Sequence, residues 1–131
     1  MKTSTHLTLL LFASTTLLAQ SEIRTTDSFD GIHVAGHYDV TPTQGSEGTI
    51  TLKGNQDDLD QIETFIKNGD LIIKQKKSTW FDNWNSGKVS INIPVEEIDK
   101  VTLSGSGTIR SHHKLNSENF KVVLSGSGEI E

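Results

Sequence analysis

Val101-Thr-Leu-Ser-Gly-Ser-Gly-Thr-Ile109 returns twenty-one positions later as Val122-Val-Leu-Ser-Gly-Ser-Gly-Glu-Ile130. A short fixed period marks a unit that buries its apolar face only against a neighbouring copy. Within each copy the side chains alternate: Val101, Leu103 and Ile109 share one face, and Thr102, Ser104, Ser106 and Thr108 the other. Gly105 and Gly107, matched by Gly126 and Gly128, fall on the apolar side, where a missing side chain lets the chain bend or a neighbouring wall approach closely. Stacking the copies sets Leu103 on Leu124, Ile109 on Ile130, Ser104 and Ser106 on Ser125 and Ser127, and Arg110 beside Glu131. Parallel, in-register pairing of that kind, at about 4.8 Å between strands, predicts a parallel β-helix (a solenoid) with rungs of about 21 residues.

Upstream, the chain reads as strands almost throughout. Ile32-His-Val-Ala-Gly-His-Tyr-Asp-Val40 alternates and aligns with the repeat, placing Ile32, Val34, Gly36, Tyr38 and Val40 where Val101, Leu103, Gly105, Gly107 and Ile109 stand. It is expected to be a third, degenerate copy. Thr49-Ile-Thr-Leu52 is a further strand. Asn68-Gly69 lies between two apolar runs, and that dipeptide suits a two-residue hairpin turn because both positions tolerate positive φ. Val89-Ser-Ile-Asn-Ile93 stops at Pro94, which cannot donate to a ladder. A single turn near Asp57–Gln61 is the one helical piece predicted, and the class is all-β.

Residues 1–19 carry Lys2, an apolar stretch from Leu7 to Leu18, and Ala19 before Gln20, the pattern of a secretory signal peptide. The stretch is shorter than the roughly 20 apolar residues a spanning helix needs. Export is therefore expected, to the periplasm, the outer surface or the medium. The sequence holds no cysteine, so no disulfide and no lipoprotein anchor is available. Cleavage removes one cation and no acid, taking the net charge from −5 to −6, a poor match to nucleic acid. Residues 20–131 are expected to form one domain. Because the chain stops at a complete rung without a polar cap, the natural fold is expected to continue beyond Glu131.

Phe29-Asp30-Gly31-Ile32-His-Val-Ala-Gly36, Gly69-Asp-Leu-Ile-Ile73, Ile91-Asn-Ile-Pro94 and the doubled Leu-Ser-Gly-Ser-Gly together resemble the auto-transporter adhesin head GIN domain family, from about Ser28 to Glu131. The resemblance implies a right-handed single-stranded β-helix, usually with further rungs, in exported proteins. It brings no agreed catalytic or binding residues, and fold likeness does not transfer a ligand.

Trp80-Phe81-Asp82-Asn83-Trp84 is the most unusual local feature. Trp80, Phe81 and Trp84 are the candidate ligand-binding residues, because clustered aromatics stack on sugar rings or anchor in a protein partner. A tryptophan folded back to plug an end of the coil is the competing reading. His33 and His37 share a strand face but stand about 13 Å apart, too far for one zinc. His112-His113 are adjacent, and alternation would send them to opposite faces; the Asp57-Asp58-x-Asp60 cluster and Glu96-Glu97 are candidates for calcium but match no calcium-loop spacing and precede turns, where acids are simply solvated. Ser106 between two glycines lacks a nucleophile elbow, and Arg24 and Arg110 are the only arginines for an acidic-glycan enzyme. A non-catalytic domain without metal or cofactor is expected, binding a glycan or surface protein. Self-association through the terminal rung, as a structural module, is the alternative.

Overall fold

The computed structural model of the chain describes residues 20–76 and 87–131. Among the described residues eleven strands and one short helix follow in order: β1 (Gln20–Thr25), β2 (Gly31–Ala35), β3 (Asp39–Gln44), β4 (Thr49–Gly54), α1 (Gln56–Asp60), β5 (Ile62–Lys67), β6 (Asp70–Gln75), β7 (Ser90–Val95), β8 (Lys100–Ser104), β9 (Thr108–Ile109), β10 (Lys121–Ser125) and β11 (Glu129–Ile130). They form two sheets, ordered β1-β4-β7-β3-β9-β11 and β10-β8-β2-β6-β5.

The two copies of the repeat pair in parallel: Val101 opposite Val122, Leu103 opposite Leu124 and Ile109 opposite Ile130. The degenerate copy lies on the other side of the first, with Ile32 opposite Val101, Val34 opposite Leu103 and Val40 opposite Ile109. The right-handed single-stranded parallel β-helix expected for the whole chain is nevertheless not formed. Both sheets are mixed, with β1 antiparallel to β4, β4 to β7 and β5 to β6, and the strands close no solenoid. Chain order also departs from spatial order. β2 lies between β6 and β8, and β7 is inserted between β3 and β4. The physical reason is connection length. Residues 45–48 and 68–69 are too short for the crossover that a parallel pair requires, and short links favour reversal of direction. Asn68 and Gly69 adopt φ of 51° and 80°, and Lys67 faces Asp70 across the resulting hairpin.

Alternation then assembles the core. Val40, Leu52, Ile91 and Ile93 from one sheet meet Ile32, Val34, Leu71, Ile73 and Leu103 from the other in one apolar cluster, all at most 1% exposed. Each such side chain contributes about 1.5–3 kcal/mol on burial.

Each repeat passes from one sheet to the other at a glycine corner. Gly105 has φ of 127°, and a Cβ there would lie 2.6 Å from the Gly36 carbonyl oxygen. That oxygen accepts the Gly107 N–H at 3.1 Å, while the Gly105 N–H reaches Ser125 O at 2.9 Å. The corners therefore stack by backbone hydrogen bonds at a separation only glycine permits.

The two ends of the sheets differ. At one, Arg24 of β1 donates to Ile62 O at 2.8 Å and Leu59 O at 2.9 Å, joining the edge strands of both sheets, and pairs with Glu22 at 2.8 Å. At the other, Val122 and Leu124 of β10 are 49% and 47% exposed, and Phe120 before them 50%.

Candidate functional site

Trp80, Phe81 and Trp84 lie outside the described residues, but Lys76 and Gly87, which flank residues 77–86, form a placed base. Lys76 donates its N–H to Gln61 O at 2.7 Å, and Gly87 donates its N–H to Asp58 Oδ2 at 2.9 Å. Both acceptors sit at the short helix α1, whose carboxylates the sequence suggested only as a solvated cluster. Asp58 instead holds the Gly87 N–H, and Asp60 accepts the Gln56 side-chain amide at 2.7 Å. His37, Tyr38, Asp58, Gln61, Gln75, Gly87 and Val89 line a small cavity of about 20 Å³ at this base. The His37 and Tyr38 rings lie 5.2 Å apart, and burial, then the nearby Asp58 charge, pushes the Tyr38 hydroxyl pKa up. Gly87 and Val89 thus lie beside the same corner, at His37 and Tyr38, that the glycine ladder adjoins.

Of the repeat serines, Ser104 is half-buried with its Oγ 3.5 Å from His33 Nε2, while Ser106, Ser125 and Ser127 are exposed. That contact is too long for an activated nucleophile, and no carboxylate is hydrogen-bonded to His33 behind it among the interactions of the described residues. Gly107 and Gly128 carry the second bend of each corner, donating to Gly36 O and Gly105 O. Among the described residues no three His, Asp or Glu side chains converge as a metal-holding group.

Glu96 and Glu97, neighbours in sequence, share a cleft of about 460 Å³ with Asp30, Glu47, Ser28 and Asn116. Sequence reading missed Asp30 and Glu47, which come from distant connections and join the pair only through sheet assembly. At the open end Arg110 contacts Glu131 at 2.6 Å, holding the Glu131 carboxyl below the usual range. Glu129, hydrogen-bonded to Glu131, is pushed up. No helix among the described residues is long and apolar enough to cross a membrane.

Two facing mixed sheets with glycine corners stacked in register define an all-β domain. The chain belongs to the family described as “Putative auto-transporter adhesin, head GIN domain”, whose model matches residues 28–131. Among solved structures it is similar to a “putative adhesin” from Bacteroides fragilis, with 17% identity, a TM-score of 0.72, and coverage of 86% of this chain and 52% of that one. It is also similar to a “Putative lipid binding protein” from Parabacteroides distasonis, with 20% identity, a TM-score of 0.69, and coverage of 86% and 48%. A “putative adhesin” from Parabacteroides merdae shares 18% identity at a TM-score of 0.67, over 82% and 44%. These likenesses show the fold, and the chain spans about half the length of each structure. No curated protein matches the sequence.

Proposed function

We propose that the protein is an exported, non-catalytic binding domain of the cell envelope or outer surface, acting as an adhesin toward a glycan or a surface protein. Trp80, Phe81 and Trp84 are its contact residues. The observation that carries this reading is that the residues flanking 77–86 are both held at α1, the Lys76 N–H on Gln61 O and the Gly87 N–H on Asp58 Oδ2. Aromatic side chains bring large apolar area to a partner and have few rotatable bonds to immobilise on binding. The adhesin family and the adhesins among its structural neighbours support the same class. An array of glycans and matrix proteins, probed with the purified protein and with a Trp80→Ala/Trp84→Ala variant, tests it. Binding by the wild type that the folded variant loses is expected. Equal binding by both, or silence from a folded wild type, would refute it.

A further inference from the structure

Among the described residues the five-stranded sheet ends at β5, which pairs with β6 and with no other strand. Lys67 and Asp70 close the two-residue hairpin at Asn68-Gly69, and such a closing pair exchanges backbone hydrogen bonds. Lys67, Phe65 and Glu63 therefore turn their backbone groups toward β6, and Ile66, Thr64 and Ile62 turn theirs away. Two contacts agree with this parity. Gln61 O accepts the Lys76 N–H just beyond β6, whereas Ile62 O accepts Arg24 from the other sheet. The N–H and C=O groups of Thr64 and Ile66 thus point along an edge. Natural edge strands are commonly blunted by a proline or a bulge. β5 has no proline, and its register with β6 runs unbroken from Ile62 to Lys67.

The side chains make that edge complementary to itself. Antiparallel pairing with β5 of a second copy, about a twofold axis at Phe65, sets Phe65 on Phe65 and Glu63 on Lys67, twice over. Thr64 and Ile66 then face each other as hydrogen-bonded pairs, which is the direction their backbone groups already take. The outer face continues the pattern, because Glu63 lies opposite Lys74, Phe65 opposite Ile72 and Lys67 opposite Asp70. Across the joint one row reads Lys74 and Glu63, then Lys67 and Asp70 of the second copy, alternating in sign at every step. The middle row reads Ile72 and Phe65, then Phe65 and Ile72 of the second copy. Neither Glu63 nor Lys67 stands in a salt bridge among the described residues. A slip of two residues would set a charge on Phe65, and a slip of four would set Glu63 on Glu63 or Lys67 on Lys67. The ladder also ends in the right place, since the next outward carbonyl, Ile62 O, is already taken by Arg24.

We infer that β5 joins a second copy of this chain edge to edge, in that register, as a twofold dimer with one continuous sheet. The dimer makes binding by the domain bivalent. It rests on β5 and β6 and does not depend on the adhesin reading. Six residues a side is small against the roughly 20–30 of a stable interface, so the association is weak, about micromolar or weaker.

Sedimentation equilibrium of the purified protein at concentrations up to about 1 mM should show the dimer. Glu63→Lys and Lys67→Glu, both at exposed positions, should each weaken it about tenfold or more, since both charge pairs turn repulsive. An equimolar mixture of the two variants should associate about as tightly as the wild type, because every pair across the joint is again of opposite sign. The cysteine-free chain allows a second test. Residue 65 would stand about 4.5 Å from its copy, Cα to Cα, which is within disulfide range. Phe65→Cys should therefore form a linked dimer under mild oxidation. Glu63→Cys should not, because its copies lie about 13 Å apart along the strands. Circular dichroism checks that each variant is folded. The inference is overturned if the wild type stays monomeric at about 1 mM, or if either charge variant dimerises as the wild type does. A mixture that stays monomeric, or Glu63→Cys cross-linking as readily as Phe65→Cys, would overturn it too.

Discussion

Replacing Gly105 by alanine tests the stacked corner directly. Two costs are expected. The first is conformational: φ of 127° lies where side chains are rarely tolerated, at about 1–3 kcal/mol. The second is steric. The new Cβ would sit 2.6 Å from Gly36 O and 3.1 Å from Gly36 N, and neither atom can swing aside as a flexible side chain would. Moving that carbonyl also disturbs the acceptor of the Gly107 N–H, so an overpacking cost of about 1–3 kcal/mol is added. Gly48 is the matched control, because its φ is 135° and a Cβ there meets nothing within 4 Å. Gly48→Ala therefore carries the conformational cost alone. Gly105→Ala should lose about 4 kcal/mol, a large share of the roughly 5–15 kcal/mol of a typical domain. Equilibrium urea unfolding of wild type and both variants measures the difference. With a slope of about 1–3 kcal/mol per molar urea, the Gly105 midpoint should fall below that of Gly48→Ala by about 1 M. Equal midpoints at equal slopes would refute the idea that corner spacing, rather than backbone freedom, demands glycine. Gly126→Ala should cost less than Gly105→Ala despite the same 2.6 Å approach to Gly105 O, because the terminal repeat is paired on one side only and can shift outward.

Arg24→Ala should destabilise by about 2–3 kcal/mol, because it strips a charged donor from the Ile62 and Leu59 carbonyls; faster amide exchange confined first to β1 and β5 would check it. Asp58→Ala should release the Gly87 N–H and reduce ligand binding by the Trp80–Trp84 segment, while Asp58→Asn, which keeps an acceptor, should retain most of it on the same array. At the open end Glu131, depressed by Arg110, should titrate below Glu129, which is raised by Glu131. The Arg110–Glu131 contact is thus fully formed above the ordinary glutamate range and is lost as pH falls through the depressed value of Glu131. Carboxyl chemical shifts followed by NMR should show that order, and Glu131→Gln should bring the Glu129 midpoint back down.

Alternation and repetition in the sequence determined the pairing of the repeats to the residue. Leu103 against Leu124, Val34 against Leu103 and Arg110 against Glu131 all follow from it, because a slip of one position would turn every apolar side chain outward and drive Cβ atoms into the glycine corners. The hairpin at Asn68-Gly69 was legible for the same local reason, two adjacent positive-φ positions. Which strand becomes whose neighbour was not legible, since an alternating strand buries the same face beside a parallel or an antiparallel partner. Only the tertiary structure placed β2 between β6 and β8, inserted β7 beside β3, and turned an expected solenoid into two mixed sheets. The same assembly gathered Asp30 and Glu47 beside Glu96 and Glu97 and bound Arg24 to the far sheet. Each of these joins residues distant in the chain. Periodicity reports the face a residue takes, whereas these neighbours are selected by connection length and by the packing of one sheet on the other.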